Sequence, residues 1–381
     1  MKITIICEVL GQPNNGTSVA AYNLINYLRE EGHEVTVVCP DEDKKGVNGY
    51  VVLPLENMGA VARGFFERNN VVLPRYDEEI LTRAVKDADV VHIMVPLFIS
   101  RRTSRLVKRL GKPLTAGFHA QAENFSAQIG MMNFRAINHI LYRWYDKNLF
   151  CRVDAIHYPT EFIKNIFEDE VGRKTNAYVI SNGVNDIFRP LDDVHPKNDG
   201  MFRILFTGRL SSEKSHIVLM KAVERSRFAD RIQLYFAGQG PLYDKVMSYG
   251  KKHLKNPPII GFYSREDLVR LINSCDLYCH PAEIEIEAIA CLEAIRCGLV
   301  PLIADSPRCA TKSFALDERC LFRVNDCGDL AEKIDYFITH PEEKAAMREK
   351  YLTESSAYDQ KNCMRMMEKM LCETAEAVNG Q

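Results

Sequence analysis

A chain of 381 residues that is 46% hydrophobic has room for two domains, each with its own core. Its formal net charge of −2 supplies no global field toward nucleic acid. Its 12 cysteines include no Cys-x-x-Cys pair, so they read as reduced core residues rather than zinc ligands or a disulfide framework. The N-terminal run Met1-Lys2-Ile3-Thr4-Ile5-Ile6-Cys7 reads as a strand, because acidic Glu8 ends it too early for a signal peptide. The longest apolar run, residues 90–99, is too short to cross a membrane as a helix. The expectation is a cytoplasmic protein.

In chain order, residues 2–7 form a strand and residues 11–16 a turn-rich loop. Helical spacing from 18 to 31 ends at Gly32, and residues 33–39 form a second strand. This strand–loop–helix–strand start is the mark of a parallel sheet. Strands follow at 89–95, 114–119, 155–158 and 178–180, with helices at 100–110, 136–150 and from 161. Residues 185–200 carry Pro190, Pro196 and an acidic, polar run, which reads as a hinge. The alternation then restarts: strands at 202–208, 232–237, 258–262, 277–280, 300–303 and 321–324, helices between them, and a methionine-rich amphipathic helix from 359 to 378. The predicted fold class is α/β, with two Rossmann-like doubly wound domains. Ligands in such sheets sit at the carboxyl ends of the strands, so two domains facing each other would hold the site in a cleft.

Several strand ends carry candidate chemistry. The loop from Gly11 to Gly16 suits either an anion at a helix N-terminus or a plain turn; it matches neither a Walker A loop nor a dinucleotide fingerprint. Gly208-Arg209-Leu210-Ser211-Ser212-Glu213-Lys214 closes a strand and opens a helix with Ser211 or Ser212 as the cap; Arg209 and Lys214 suit a diphosphate. Gly238-Gln239-Gly240-Pro241 is either half of a phosphate-binding fingerprint or a tight turn. His119 follows a strand in a polar setting and reads as structural or functional; the remaining histidines have no metal-ligand spacing, which predicts no metal. Arg101, Arg105, Lys108 and Lys112 share a helix face. Ahead of the aromatic-rich stretch 131–150, that face is either a solvated surface or a patch for anionic lipid. In the stretch from His280 to Ile303, the acids Glu283, Glu285 and Glu287 alternate, and Glu293 lies eight positions after Glu285. If that span is mostly helical, Glu285 and Glu293 are about 12 Å apart, suiting two ends of an elongated ligand rather than an acid/base pair.

Together these residues resemble the retaining glycosyltransferases of family 4, which have the GT-B fold. The resemblance covers nearly the whole chain. Glu285, Glu293, Gly298 and Pro301 stand in the family's Glu-x7-Glu and Gly-x-Pro places. Gly208-Arg209 with Lys214 is similar to its Gly-Arg-x5-Lys spacing, with four intervening residues here. Gly238-Gln239-Gly240-Pro241 resembles its Gly-x-Gly-Pro turn, and Asn182-Gly183-Val184 with Phe188 and Pro190 its hinge. Gly16 and His119 match its acceptor-domain glycine loop and sugar-contacting histidine. The chain departs from the family at Glu285-Ile286-Glu287-Ala288, where Glu-Gly-Phe-Gly is usual, which leaves the donor sugar open.

The resemblance implies an acceptor domain over residues 1–184, a hinge over 185–200, a sugar-nucleotide domain over 201–358, and a final helix over 359–381 crossing back to the first domain. It implies transfer of a hexose from a nucleotide-diphosphate sugar, with uridine the expected base, to a hydroxyl acceptor. The catalytic residues would be Arg209, Lys214, Glu285 and His119. Arg209 and Lys214 would stabilise the diphosphate, Glu285 the sugar hydroxyls and Glu293 the ribose, with Gly16, Gly208, Gly238 and Gly240 lining the donor. His119 would orient the sugar. No metal and no cofactor are implied. The acceptor is a membrane lipid such as diacylglycerol or, alternatively, a saccharide, and peripheral association with the inner face of the membrane follows from the first. A sugar-nucleotide epimerase and a non-catalytic sugar-nucleotide-binding protein are the readings from other classes.

Overall fold

A computed structural model describes residues 1–11, 16–57, 72–128, 131 and 133–380. The chain divides into two compact units. One comprises Met1–Asn182 together with the chain from Lys361 onward; the other is Gly183–Gln360.

In the first unit the strands are β1 (Lys2–Ile6), β2 (Glu34–Cys39), β3 (Tyr50–Val52), β4 (Val90–Ile93), β5 (Leu114–Gly117), β6 (Ala155–Tyr158) and β7 (Ala177–Val179). They form a sheet in the order β3-β2-β1-β4-β5-β6-β7, and every described pairing is parallel. The central strands β4, β5 and β6 are buried along their whole length. Helices cover both sheet faces in such a fold, so these strands need near-continuous apolar runs rather than alternation. The crossover helices are α1 (Gly16–Glu30), α2 (Glu78–Val85), α3 (Ser100–Arg109), α4 (Ala122–Gln128), α5 (Arg135–Asn148) and α6 (Glu161–Val171). The short edge strand β3 and the helices α2 and α4 have no counterpart in the periodicity reading.

The second unit repeats the plan. Strands β8 (Phe202–Thr207), β9 (Ile232–Ala237), β10 (Ile259–Gly261), β11 (Leu277–His280), β12 (Pro301–Asp305) and β13 (Leu321–Arg323) run parallel in the order β10-β9-β8-β11-β12-β13. Its helices are α7 (His216–Arg225), α8 (Tyr243–His253), α9 (Arg265–Asn273), α10 (Ile289–Arg296), α11 (Cys327–Thr339) and α12 (Pro341–Glu354). Both sheets are doubly wound. Their order reverses between β1 and β4 and between β8 and β11, the places where such folds hold ligands.

The stretch 185–200, read above as a hinge, lies in the second unit and is anchored to its core at its start. Val184 and Phe188 are buried in the core of the second unit, and the Leu191 amide donates to Asn273 Oδ1 at 2.9 Å. The prolines and acids disguised an apolar anchor. The last helix, α13 (Gln360–Asn379), lays Met364, Met367, Met370 and Leu371 into the core built by β1, β2 and α1 of the first unit. Leu371 is fully buried there. Leu371→Ala is expected to destabilise the first unit by about 3 kcal/mol, read as a lowered urea midpoint for that unit with the second unit's transition unchanged.

Candidate active site

In the second unit, the loops after β8 and β11 leave the sheet side by side, because these two strands pair directly through Tyr278 and Leu205. After β8 the backbone runs through Gly208, Arg209 and Leu210 against the turn after β9. The Gly208 amide donates to the Ala237 carbonyl at 3.0 Å, and the Leu210 amide to the Gln239 carbonyl at 2.9 Å. A Cβ on Gly238 would overlap the Gly208 carbonyl, and one on Gly240 the Leu210 backbone. The two glycines are therefore required by the contact of loop with loop, a sufficient reason for them without any ligand.

A single 3₁₀ turn, Ser212–Lys214, follows, and α7 begins only at His216. The Ser211 hydroxyl does not cap a helix as the sequence suggested; it donates to the Glu213 carboxylate. Ser215 takes a left-handed φ of 51° between the turn and the helix. The loop after β11 docks on this turn, with the Glu283 amide donating to the Glu213 carbonyl at 2.9 Å.

That docking joins the two ends of the site. Lys214 Nζ donates to Glu285 Oε1, and both side chains are largely buried. His280, at the end of β11 and fully buried, holds Nε2 at 3.5 Å from the same Oε1, while its Nδ1 meets the Tyr278 hydroxyl at 3.2 Å. Burial pushes the Glu285 carboxyl up, but the Lys214 ammonium and His280 outweigh it, leaving it well below the ordinary carboxylate range at about 2. Burial likewise disfavours the charged lysine, and Glu285 more than restores it. Arg209 is exposed, and no side chain hydrogen bond holds its guanidinium among the described residues.

The three alternating acids separate into three roles. Glu283 Oε2 accepts from Arg308 Nη2 at 3.1 Å, Glu285 holds Lys214, and Glu287 is buried at 4% exposure. Residues 285–288 are not helical, and Ala288 enters α10 with a left-handed φ of 62°. The separation of about 12 Å, which assumed a helix through the span, does not apply. Ala288 keeps the backbone shape that glycine adopts freely, at a cost of roughly 1–2 kcal/mol for an L residue. Glu293 sits on α10. Burial raises its carboxyl to about 7, partly opposed by Arg265, and no hydrogen bond to that carboxylate is formed among the described residues. A shielded acceptor of this kind suits a pair of hydroxyls.

The other two predicted residues belong to the first unit. Gly16 is the exposed first residue of α1; the loop residues 12–15 before it lie outside the described set. His119 follows β5, with its ring 5.3 Å from that of His157. His92, His119, His157 and Asn182 line one small cavity. Burial, then His157 and His92, push His119 well below the ordinary imidazole range, so it is neutral at physiological pH. Beside the β1–β4 reversal, buried Glu8 accepts from the Ile99 amide at 3.1 Å and from the Ser100 hydroxyl at 2.7 Å. A larger cavity of about 340 Å³, lined in part by Lys2, Glu34, Thr36 and Arg83, opens at the N-terminal ends of β1 and β2, away from the ligand-bearing ends of the strands. His280, His92, His157 and Glu8 were missed as site-lining groups. For His280, His157 and Glu8 the one sequence signal is a position at or near the end of a predicted strand; His92 lies in the middle of one.

The ion pair gives a stability prediction with a definite sign. In the native protein Glu285 has a depressed pKa, so its contribution is present above its ordinary value of 4.5 and lost as pH falls through about 2. In Lys214→Met the carboxylate keeps its burial and loses its main partner, so its pKa rises. Its charge then costs about 3–5 kcal/mol at neutral pH. That loss shrinks as pH falls through the raised pKa. Urea midpoints of Lys214→Met and the native protein should be far apart at pH 7 and converge toward pH 5; a constant gap contradicts the pairing.

Two family models match the chain: that described as Glycosyltransferase Family 4 over residues 14–187, and that described as Glycosyl transferases group 1 over residues 188–352. A GDP-mannose-dependent alpha-mannosyltransferase of Mycolicibacterium smegmatis is 25% identical over 332 residues, which is 80% of this chain and 79% of that protein. A phosphatidyl-myo-inositol mannosyltransferase of the same organism is 24% identical, over 80% of this chain and 76% of that protein. Among solved structures, HepE of Anabaena in complex with UDP superposes with a TM-score of 0.72 at 14% identity, over 98% of this chain and all of that one, a likeness of fold. With two matching models that together run from residue 14 to residue 352, and two doubly wound sheets to carry them, the chain belongs to the family 4 glycosyltransferases of the GT-B fold.

Proposed function

We propose that the protein transfers a hexose from a nucleoside-diphosphate donor to a hydroxyl of a membrane lipid, with retention at the anomeric carbon and without a metal. The observation that carries this reading is the Lys214–Glu285 pair beside the exposed Arg209 at the β8–β11 reversal. It supplies a fixed cation and a fixed carboxylate, with the exposed Arg209 as a second cation, where a diphosphate and a sugar would meet.

In this reading Glu293 accepts the ribose hydroxyls and Glu285 a sugar hydroxyl. Arg209 and Lys214 stabilise the charge that develops on the diphosphate as the bond from the anomeric carbon to oxygen breaks. The acceptor oxygen bonds to that carbon from the same face, and its proton passes to the departing phosphate. The products are the glycoside and the nucleoside diphosphate. Lys214 shares its charge between the phosphate and Glu285, so the pair also fixes where the sugar sits relative to the leaving group. Neutral His119 would accept or donate one hydrogen bond to the sugar. The base is less constrained. Uridine is the expectation from sequence, whereas the relatives that name a donor are GDP-mannose-dependent.

The test is a panel of UDP-glucose, UDP-galactose and GDP-mannose with diacylglycerol in detergent micelles or with free saccharides. Nucleoside diphosphate released only with lipid, an α-linked product and full turnover in chelator support the proposal. Release with saccharide alone moves the acceptor to the alternative, and epimerised donor without release overturns transfer. Arg209 is exposed, so Arg209→Ala should keep native stability to within about 0.5 kcal/mol while lowering kcat by about 10²–10³-fold.

A further inference from the structure

We propose that His280 is a positioning residue that takes hold of Glu285 as Lys214 turns toward the diphosphate, and that Tyr278 sets the tautomer His280 needs for this. It rests on the transfer reading above, in which Lys214 divides its charge between Glu285 and the leaving phosphate. His280 is the last residue of β11 and is 1% exposed. Tyr278 stands two positions earlier on the same strand, so both side chains project from one face of the sheet. Their rings stack with centroids 6.1 Å apart, and Phe206 of β8 stacks on His280 at 6.0 Å. The imidazole is thereby fixed in orientation.

Its two nitrogens have different neighbours. Nδ1 meets the Tyr278 hydroxyl at 3.2 Å, and Nε2 stands 3.5 Å from Glu285 Oε1. Burial, opposed by Glu285, holds the ring below the ordinary imidazole range, so it is neutral at physiological pH. A neutral imidazole carries one proton, and a bare Nε2 would turn its lone pair on a carboxylate. The proton therefore sits on Nε2, and Nδ1 accepts from the Tyr278 hydroxyl. At 3.5 Å the Nε2–H makes no hydrogen bond, and none of the described residues offers it another partner. A buried donor left unmade is costly, and this one faces the acceptor whose other partner the reaction draws away. As the bond at the anomeric carbon breaks, charge grows on the phosphate and pulls on Lys214. Glu285 then loses part of the cation that keeps it ionised out of water. Its backbone is held, with its amide donating to the Arg308 carbonyl at 3.3 Å and its carbonyl accepting from the Ala310 amide at 2.9 Å. Only the carboxylate can swing, and a small swing closes the contact with Nε2–H. No proton is transferred: His280 donates a hydrogen bond, and Glu285 keeps its charge and its aim at the sugar.

Three variants and one spectroscopic signal test this. His280→Leu removes the donor, His280→Gln places an amide N–H near the position of Nε2–H, and Tyr278→Phe removes only the hydroxyl. In donor saturation curves, His280→Leu should lower kcat by about 10–100-fold, the rate equivalent of one hydrogen bond to a charged group. Its donor KM should stay near native, because the contact closes only as Lys214 is drawn away. His280→Gln should recover most of kcat, and Tyr278→Phe should lose less than His280→Leu. In NMR of the native protein with isotope-labelled histidine, the imidazole signal that His280→Gln removes should carry its proton on Nε2. Urea midpoints separate lost folding from lost positioning, and Tyr278→Phe carries the test if a His280 variant does not fold. A loss confined to KM, a folded His280→Gln as slow as His280→Leu, native kcat in Tyr278→Phe, or a proton on Nδ1 overturns the proposal. A native protein that transfers no sugar overturns the transfer reading instead, and the tautomer signal is read without any donor.

Discussion

The candidate site depends on one interaction, the ion pair between Lys214 and Glu285. Each partner alone would be a charge taken out of water at a cost of several kcal/mol. Together, with His280 beside them, they keep a cation and an anion charged in a shielded place. The pair exists because β8 and β11 are neighbours in the sheet although 71 positions separate the two residues. Everything around it serves the placement: Gly238 and Gly240 let the turn after β9 support the Arg209 loop, and the Glu213 carbonyl anchors the loop that carries Glu285. Left-handed Ser215 and Ala288 bend the chain at the two helix entries.

Such an arrangement is costly for stability and useful for chemistry. A buried ion pair rarely stabilises a fold more than apolar residues of the same volume would. A preorganised pair, however, needs little reorganisation when a diphosphate departs. Glu293 is a contrast: burial raises its carboxyl to about 7, and no hydrogen bond to it is formed among the described residues. The first unit contributes a different environment, with neutral histidines around a small cavity and a buried Glu8 holding the start of α3.

Much of the fold was legible in the sequence because parallel strands buried on both faces must be apolar runs, and such runs alternate with helical spacing twice along the chain. Short edge strands such as β3 escape this logic, since Tyr50–Val52 is only half-buried and no longer than a turn. In residues 185–200 composition shows Pro190 and the acids but not that Phe188 is an anchor in the second unit's core. The site was legible in identity rather than in connection. Position at strand ends singled out Arg209 and Lys214, and the family resemblance assigned Glu285 and Glu293. Nothing local could show that Lys214 already holds Glu285, that His280 adjoins Glu285, or that Lys108 and Arg109 of α3 are met by Asp154 and Glu78 from distant segments. Long-range pairings leave no periodic trace.

The central claim is that Lys214 and Glu285 act as one unit on the donor. A double-mutant cycle in transfer kcat/KM with Lys214→Met, Glu285→Gln and both together measures this directly. The account predicts strong coupling, with the double variant no slower than the worse single one, because removing either partner already disables the pair. Losses that simply multiply would show two independent residues and contradict it.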